Sequence, residues 1–274
     1  YDDIVYAEIE GRPLRLDLYI PDDATEPLPL VIWVHGGAWR QGSKAHPRAL
    51  RLLSHGYAIA SIEYRLSQEA VFPAQIHDCK AAVRWLRAQA DEYGLIPDRI
   101  GAWGGSAGGH LVALLGTTAG VPELAGEPES FGGTGNFDQS SAVQAVCDWY
   151  GPSDFLRMND RPGQMDHNAP DSPESQLLGA PIPDNPHLVA YANPITYLYL
   201  TSDAPPFLLM HGTSVDVVIP NQSDFFHAAL LEVGATTTLI SLGGLGHGFG
   251  GDHARWPEIY GYVRAFFDLH LKSR

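Results

Sequence analysis

The chain has 274 residues, 45% of them hydrophobic and 18% charged, which is globular composition with material for a sizeable core. A formal net charge of −15 argues against nucleic acid and anionic membrane surfaces as partners, and no apolar run reaches the length of a bilayer span. The chain begins at Tyr1 rather than Met, so an upstream segment has been removed or left out; a soluble protein is expected, with secretion or a periplasmic location after loss of a signal segment as one reading.

Ile4 to Glu10 and Leu14 to Tyr19 alternate apolar and polar residues around Gly11-Arg12-Pro13, which predicts a hairpin. Leu30 to Val34 is a near-continuous apolar run, the mark of a strand covered on both faces. A short helix over about His46 to His55 leads to a second buried strand, Tyr57 to Glu63. Ile76, Lys80, Val83, Trp85, Leu86 and Ala90 fall mostly on one stripe of a helix from Ala74 to Glu92. A strand over Arg99 to Trp103 and a small-residue helix over Ala107 to Thr118 follow. Strands are expected at Ala142 to Tyr150, Phe207 to Met210 and Thr236 to Leu242, and helices at Gln222 to Val233 and Pro257 to Leu271.

Residues 120–141 and 154–194 are rich in Gly, Pro, Asp and Asn and lack periodicity. They read as irregular insertions in a single domain over 1–274, covering its active edge. An antiparallel entry followed by alternating strands and helices predicts an α/β fold: a mostly parallel eight-stranded sheet wrapped on both faces. Cys79, in a helix, and Cys147, in a strand, read as buried free thiols rather than a disulfide. The sequon Asn221-Gln222-Ser223 falls at a helix start, where a capping role for the asparagine is the plainer reading.

In such a fold ligands gather at the carboxyl ends of the strands. The residues there are His35-Gly36-Gly37-Ala38-Trp39, Ser106, Trp149-Tyr150, His211 with Asp216, and His247. Gly104-Gly105-Ser106-Ala107-Gly108 places a serine on a sharp strand-to-helix turn, its hydroxyl pushed out above the positive end of a helix. A glycine-rich turn packed for its own sake would look the same, so the context decides.

Serine needs a base to remove its proton, and the base needs a carboxylate to fix its tautomer. His247, in the glycine-flanked loop Leu245-Gly246-His247-Gly248-Phe249, is free to reach over the serine. His211 suits a turn brace and His110 a core position. Asp216 follows the next-to-last strand and fits the acid best, with Asp148, Asp154, Asp203 and Asp252 as rivals. The Ala107 amide and the His35-Gly36-Gly37-Ala38 turn can meet a developing oxyanion, each donor worth roughly 10²–10³ in rate.

With these segments, together with Glu63-Tyr64-Arg65-Leu66, Asp148-Trp149-Tyr150-Gly151-Pro152, Asp171-Ser172-Pro173-Glu174-Ser175, Asn193-Pro194-Ile195-Thr196-Tyr197 and His211-Gly212-Thr213, the chain resembles the α/β-hydrolase superfamily over nearly its whole length. Within it, the chain looks most like bifunctional acetylxylan and feruloyl esterases, close to hormone-sensitive-lipase-like carboxylesterases. The resemblance implies a Ser106–Asp216–His247 triad with oxyanion donors from Gly37, Ala38 and Ala107. Val215 stands where the family places its aspartate, and counting back from Pro220 points to a one-residue insertion near Ser214-Val215.

Trp39, Trp149, Tyr150, Ile219 and Phe249, with Leu245, lie beside these segments and suggest an apolar, partly aromatic substrate cleft. The expected substrate is an acyl or aryl ester, small or attached to a plant polysaccharide such as xylan. An arylformamidase resembling kynurenine formamidases, or a peptidase, is the nearest alternative, and a non-catalytic binding protein of the same fold a remote one. No metal-ligand spacing and no nucleotide or redox cofactor motif is expected.

Overall fold

A computed structural model describes every residue except 162, 164, 201–203, 216, 251–252 and 273–274. Eight strands form one sheet: β1 (Ile4–Ile9), β2 (Arg12–Tyr19), β3 (Leu28–Val34), β4 (Ala58–Ile62), β5 (Leu95–Gly105), β6 (Ala145–Trp149), β7 (Phe207–Gly212) and β8 (Thr237–Leu242). Their order is β1-β2-β4-β3-β5-β6-β7-β8. β1, β2 and β4 pair antiparallel, and every pairing from β4 onward is parallel. This is the α/β architecture expected from the order of elements, a mostly parallel eight-stranded sheet with an antiparallel entry.

The apolar run of β3 shows why its sequence has no polar alternation. Leu30, Ile32 and Val34 join the core on one face of the sheet, and Val31 and Trp33 join the core on the other. The first face is covered by α1 (Ala74–Ala88), α3 (Ala107–Thr117) and α7 (Asn221–Glu232). The second is covered by a 3-10 helix, Arg48–His55, and by α8 (Trp256–Phe267). Both faces of β3 are therefore dry, and every residue from Leu30 to Val34 is buried. Cys79 and Cys147 are buried free thiols.

Several boundaries differ from expectation for local reasons. The helix foreseen to Glu92 breaks at Gln89 into α1 and a short α2 (Ala90–Tyr93), which Gly94 ends at a φ of 62°. The chain then enters β5 four residues early because Leu95 already pairs with Leu28. The helix foreseen from His46 is a 3-10 helix starting after Pro47, whose ψ of 132° is extended.

The stretch 154–194 is not irregular throughout. It contains α4 (Pro173–Leu178) and α5 (Pro186–Ala192), and α6 (Pro194–Tyr197) follows directly. Each opens on a proline at its first helical position, where the missing N–H would be unpaired anyway and the fixed φ suits a helix. Prolines that read as breaks are starts.

Segment 120–141 lies along α1 and β1. Arg84 of α1 donates to the carbonyls of Gly135 (2.6 Å) and Ala125 (3.0 Å), and the Glu8 amide donates to Thr134 Oγ1 (2.9 Å). Segment 154–194 packs beside the turn after β3, the chain before α1 and α3: Phe155 meets the Trp39 ring, the Phe72 amide donates to the Leu177 carbonyl, and His110 reaches that of Ala192. Among the described residues, those that line the cleft at Ser106 come from neither segment.

Candidate active site

Ser106 sits between β5 and α3 with φ 58° and ψ −124°, a conformation that strains a residue with a side chain by about 1–3 kcal/mol. Backbone contacts over-determine it: its amide donates to the Trp149 carbonyl (2.9 Å) and its carbonyl accepts from the His110 amide (3.0 Å). Two glycines let α3 come this close to the sheet. A Cβ on Gly104 would run into the Gly108 carbonyl, and one on Gly108 would run into that of Val34. The hydroxyl therefore stands above the first turn of α3, at its positive end.

His247 begins a 3-10 turn after β8, and its Nε2 lies 3.0 Å from Ser106 Oγ. In the neutral ring the serine hydroxyl donates to that nitrogen, as general-base removal of its proton requires. The Tyr150 ring packs against the imidazole with centroids 4.7 Å apart and fixes its approach.

The loop after β7 is fastened at several points. The Ser214 amide donates to the Leu245 carbonyl (3.0 Å), and the Gly244 amide donates to Thr213 Oγ1 (2.9 Å), which joins this loop to the one carrying His247. His211 Nε2 donates to the Val218 carbonyl (2.8 Å). Its Nδ1 accepts from the Ser223 hydroxyl (2.7 Å). Burial drives its pKa down to about 4, against the bond to Val218. It is a neutral turn brace, as its sequence position suggests. His167 Nε2 donates to the Val217 carbonyl (2.9 Å), while its Nδ1 lies 3.0 Å from Glu174 Oε1, an ion pair by distance whose angle falls short of a good hydrogen bond. Burial opposes its charge, but the Glu174 carboxylate and the Val217 carbonyl leave its pKa raised.

Asp216, expected as the acid, lies outside the described residues, as do its rivals Asp203 and Asp252. The other rivals are committed elsewhere. Asp148 is buried within β6 and accepts from the Gly151 amide (2.9 Å). Asp154 accepts from the Leu156 amide (3.2 Å) and from Asn193 Nδ2 (3.0 Å).

The turn after β3 passes under the serine. Gly37 has φ 121°, and a Cβ there would strike the Gln41 backbone, so the turn requires glycine. Ala38 and Trp39 follow in the left-handed region at φ 56° each. Among the described residues, no acceptor engages the amide N–H of Ala38 or Ala107.

A cleft of about 330 Å³ opens here, lined by the Gly36–Ala38 turn and Ser106 and by Trp33, Gln41, Arg48, Gly105, Tyr150, Val217, His247 and Gly248. Of the aromatic and apolar side chains expected to contact substrate, only Tyr150 borders it. Trp39 is in the core, its Nε1 donating to His110 Nδ1 (3.2 Å) and its ring edge-on to Phe155. Trp149 and Phe249 pack on each other and on Trp256, and Ile219 is buried. Nearness in sequence to a site segment does not say which way a side chain turns. Trp33, Arg48 and Val217 were missed for the same reason. A count of strand parity puts Trp33 on the face of Trp103, but nothing local marks Arg48.

An eight-stranded, mostly parallel sheet with a strained serine at the end of β5 and a histidine reaching it from beyond β8 defines an α/β-hydrolase. The chain belongs to the family described as BD-FAE, which matches residues 16–230. It is similar to the esterase LipQ of Mycobacterium tuberculosis, 35% identical over 83% of this chain and 52% of the relative. Among solved structures it resembles a truncated carbohydrate esterase from gut microbiota (31% identity, TM-score 0.87, 100% of this chain and 96% of the other). It also resembles a bifunctional GH43-CE protein of Bacteroides eggerthii (36% identity, TM-score 0.82, 96% and 38% covered). The chain spans about half the length of curated relatives it matches. Among the described residues, no helix is long and apolar enough to cross a membrane.

Proposed function

We propose that the protein is a serine carboxylic-ester hydrolase, built as one domain, acting on acetyl or feruloyl esters of plant polysaccharide. The single observation that carries the reading is the 3.0 Å approach of His247 Nε2 to Ser106 Oγ. Ser106 Oγ attacks the ester carbonyl carbon as its proton passes to His247 Nε2. The carbonyl oxygen becomes an oxyanion, met by the amides of Ala107 and Ala38, with Gly37 beside them. As the C–O bond to the alcohol breaks, His247 returns the proton to the leaving oxygen, and the acyl group stays on Ser106. Water, deprotonated by the same ring, then attacks the acyl-enzyme and releases the carboxylic acid. Asp216 is assigned as the acid that orients His247, on the sequence argument.

The substrate class is supported by the BD-FAE family and by similarity to carbohydrate esterases. A cleft whose lining, among the described residues, comes from neither long insertion suits an ester attached to something bulky. The test is hydrolysis of p-nitrophenyl acetate, methyl ferulate and acetylated xylan by pure protein. Ser106→Ala is expected to lower kcat by about 10⁴–10⁶ without loss of fold. Activity undiminished in that variant, or absence of hydrolysis on all three esters, would overturn the reading, and a preference for formanilides over esters would move it to amide chemistry.

A further inference from the structure

Arg48 lines the Ser106 cleft, half-buried, and the acyl-transfer chemistry makes no use of its charge. Its guanidinium carbon stands 4.6 Å from the centroid of the Trp256 ring. One turn on, Arg51 stands 4.7 Å over Tyr260, which is four residues after Trp256 on α8. Two arginines of the 3-10 helix are thus stacked on two rings of α8, which holds Arg48 in place. Stacking engages the flat face of a guanidinium and leaves the N–H groups around its edge for an acceptor. Among the described residues Arg48 has no carboxylate partner, and no Asp or Glu lines the cleft.

A guanidinium matches a carboxylate in a two-point geometry. In a chain of net charge −15, a guanidinium with no carboxylate partner among the described residues places positive charge in the cleft of the reacting serine. That charge favours an anionic ligand over a neutral one.

We propose that Arg48 determines specificity by receiving a carboxylate carried by the ester, so that the cleft prefers anionic esters to neutral ones of equal size. The inference rests on the ester-hydrolase reading above. The carboxylate can belong to the acyl part, as in a half-ester of a dicarboxylic acid, or to the alcohol part, as in an ester of an acidic sugar or phenol.

Two substrate pairs separate these sources. 4-Nitrophenyl hemisuccinate against 4-nitrophenyl butyrate tests the acyl side, and 4-acetoxybenzoate against its methyl ester tests the alcohol side. The readout is the ratio of kcat/KM, anionic over neutral, within each pair. A ratio taken on one preparation is independent of the fraction of active protein. In the wild type at least one ratio is expected to exceed one and to fall with added salt. Arg48→Gln should lower that ratio about 10- to 50-fold, the scale of a lost charge-assisted contact. Arg48→Lys should retain part of it. Arg157→Gln, which removes the same charge from an exposed arginine over Phe225, should retain all of it.

Turnover of the neutral esters with ratios equal in wild type and Arg48→Gln would overturn the inference and leave the ester-hydrolase reading standing. Turnover of neither member of either pair would overturn both. Should Arg48→Gln not fold, the salt response of the wild type decides: ratios indifferent to salt overturn the inference.

Discussion

Asp148 offers a quantitative test of how the sheet edge is built. Its side chain is buried in β6, facing the Gly109–Gly151 contact, where a Cβ on either glycine would overlap its oxygen. Burial pushes its carboxyl up to about 7, against the amide bond from Gly151. In the unfolded chain it titrates near 3.8. The folded state therefore holds a proton that the unfolded state releases between these values, and stability falls as pH rises through that window. Above pH 7 the difference amounts to about 4 kcal/mol. Asp148→Asn keeps an oxygen for the Gly151 amide and has no charge to bury. It is expected to match the wild type near pH 4 and to exceed it by up to about 4 kcal/mol at pH 8. For a chain of this length the unfolding entropy is roughly 0.6 kcal/mol per degree, so the gain is about 7 °C in Tm. Thermal unfolding of both proteins between pH 4 and 8 checks it. A Tm difference independent of pH, or an asparagine variant less stable at pH 8, would refute the reasoning.

Glu174→Gln removes the counter-charge of His167, a pair whose side chains are 3% and 4% exposed, and is expected to cost up to about 3 kcal/mol. Because the folded pKa of His167 is raised, the contribution is full below the ordinary histidine value and is lost as pH rises through the raised one. Denaturant titrations at pH 5.5 and 8.5 should show the gap between wild type and variant narrowing at the higher pH, and a gap that widens would contradict the assignment. Gly108→Ala sets a methyl against the Val34 carbonyl and should destabilise by more than the roughly 1 kcal/mol that alanine returns in a helix. A Tm at or above that of the wild type would show that the helix can shift. Trp39→Phe strands the His110 acceptor at a cost of about 1–3 kcal/mol. If Trp39 is core rather than a substrate contact, KM for p-nitrophenyl acetate should stay within about threefold of wild type while Tm falls.

The succession of strands and helices and the serine turn were legible in the chain because they follow from period and sterics. An apolar run such as Leu30–Val34 has one good environment, and a serine between glycines before a small-residue helix has few. His247 was legible because its loop is glycine-flanked and follows the last strand. The substrate side chains were not, since Trp39 and Ala38 both lie in left-handed backbone and only the resulting turn decides that the indole points into the core. The helices α4 and α5 escaped because proline at a helix start and proline in a loop look alike without the neighbours. Arg48 escaped because its role depends on stacking against a helix some two hundred residues away.

The seam between α3 and the sheet restricts how this scaffold can diverge. Any side chain at Gly104 or Gly108 would wedge the helix off its neighbours and withdraw its positive end from the nucleophile. New substrate ranges must therefore be acquired elsewhere: in the 3-10 helix carrying Arg48, in the segment around Val217, and in the turn around Gly248. These border the cleft without setting the position of Ser106, so they can drift while the reacting centre stays fixed.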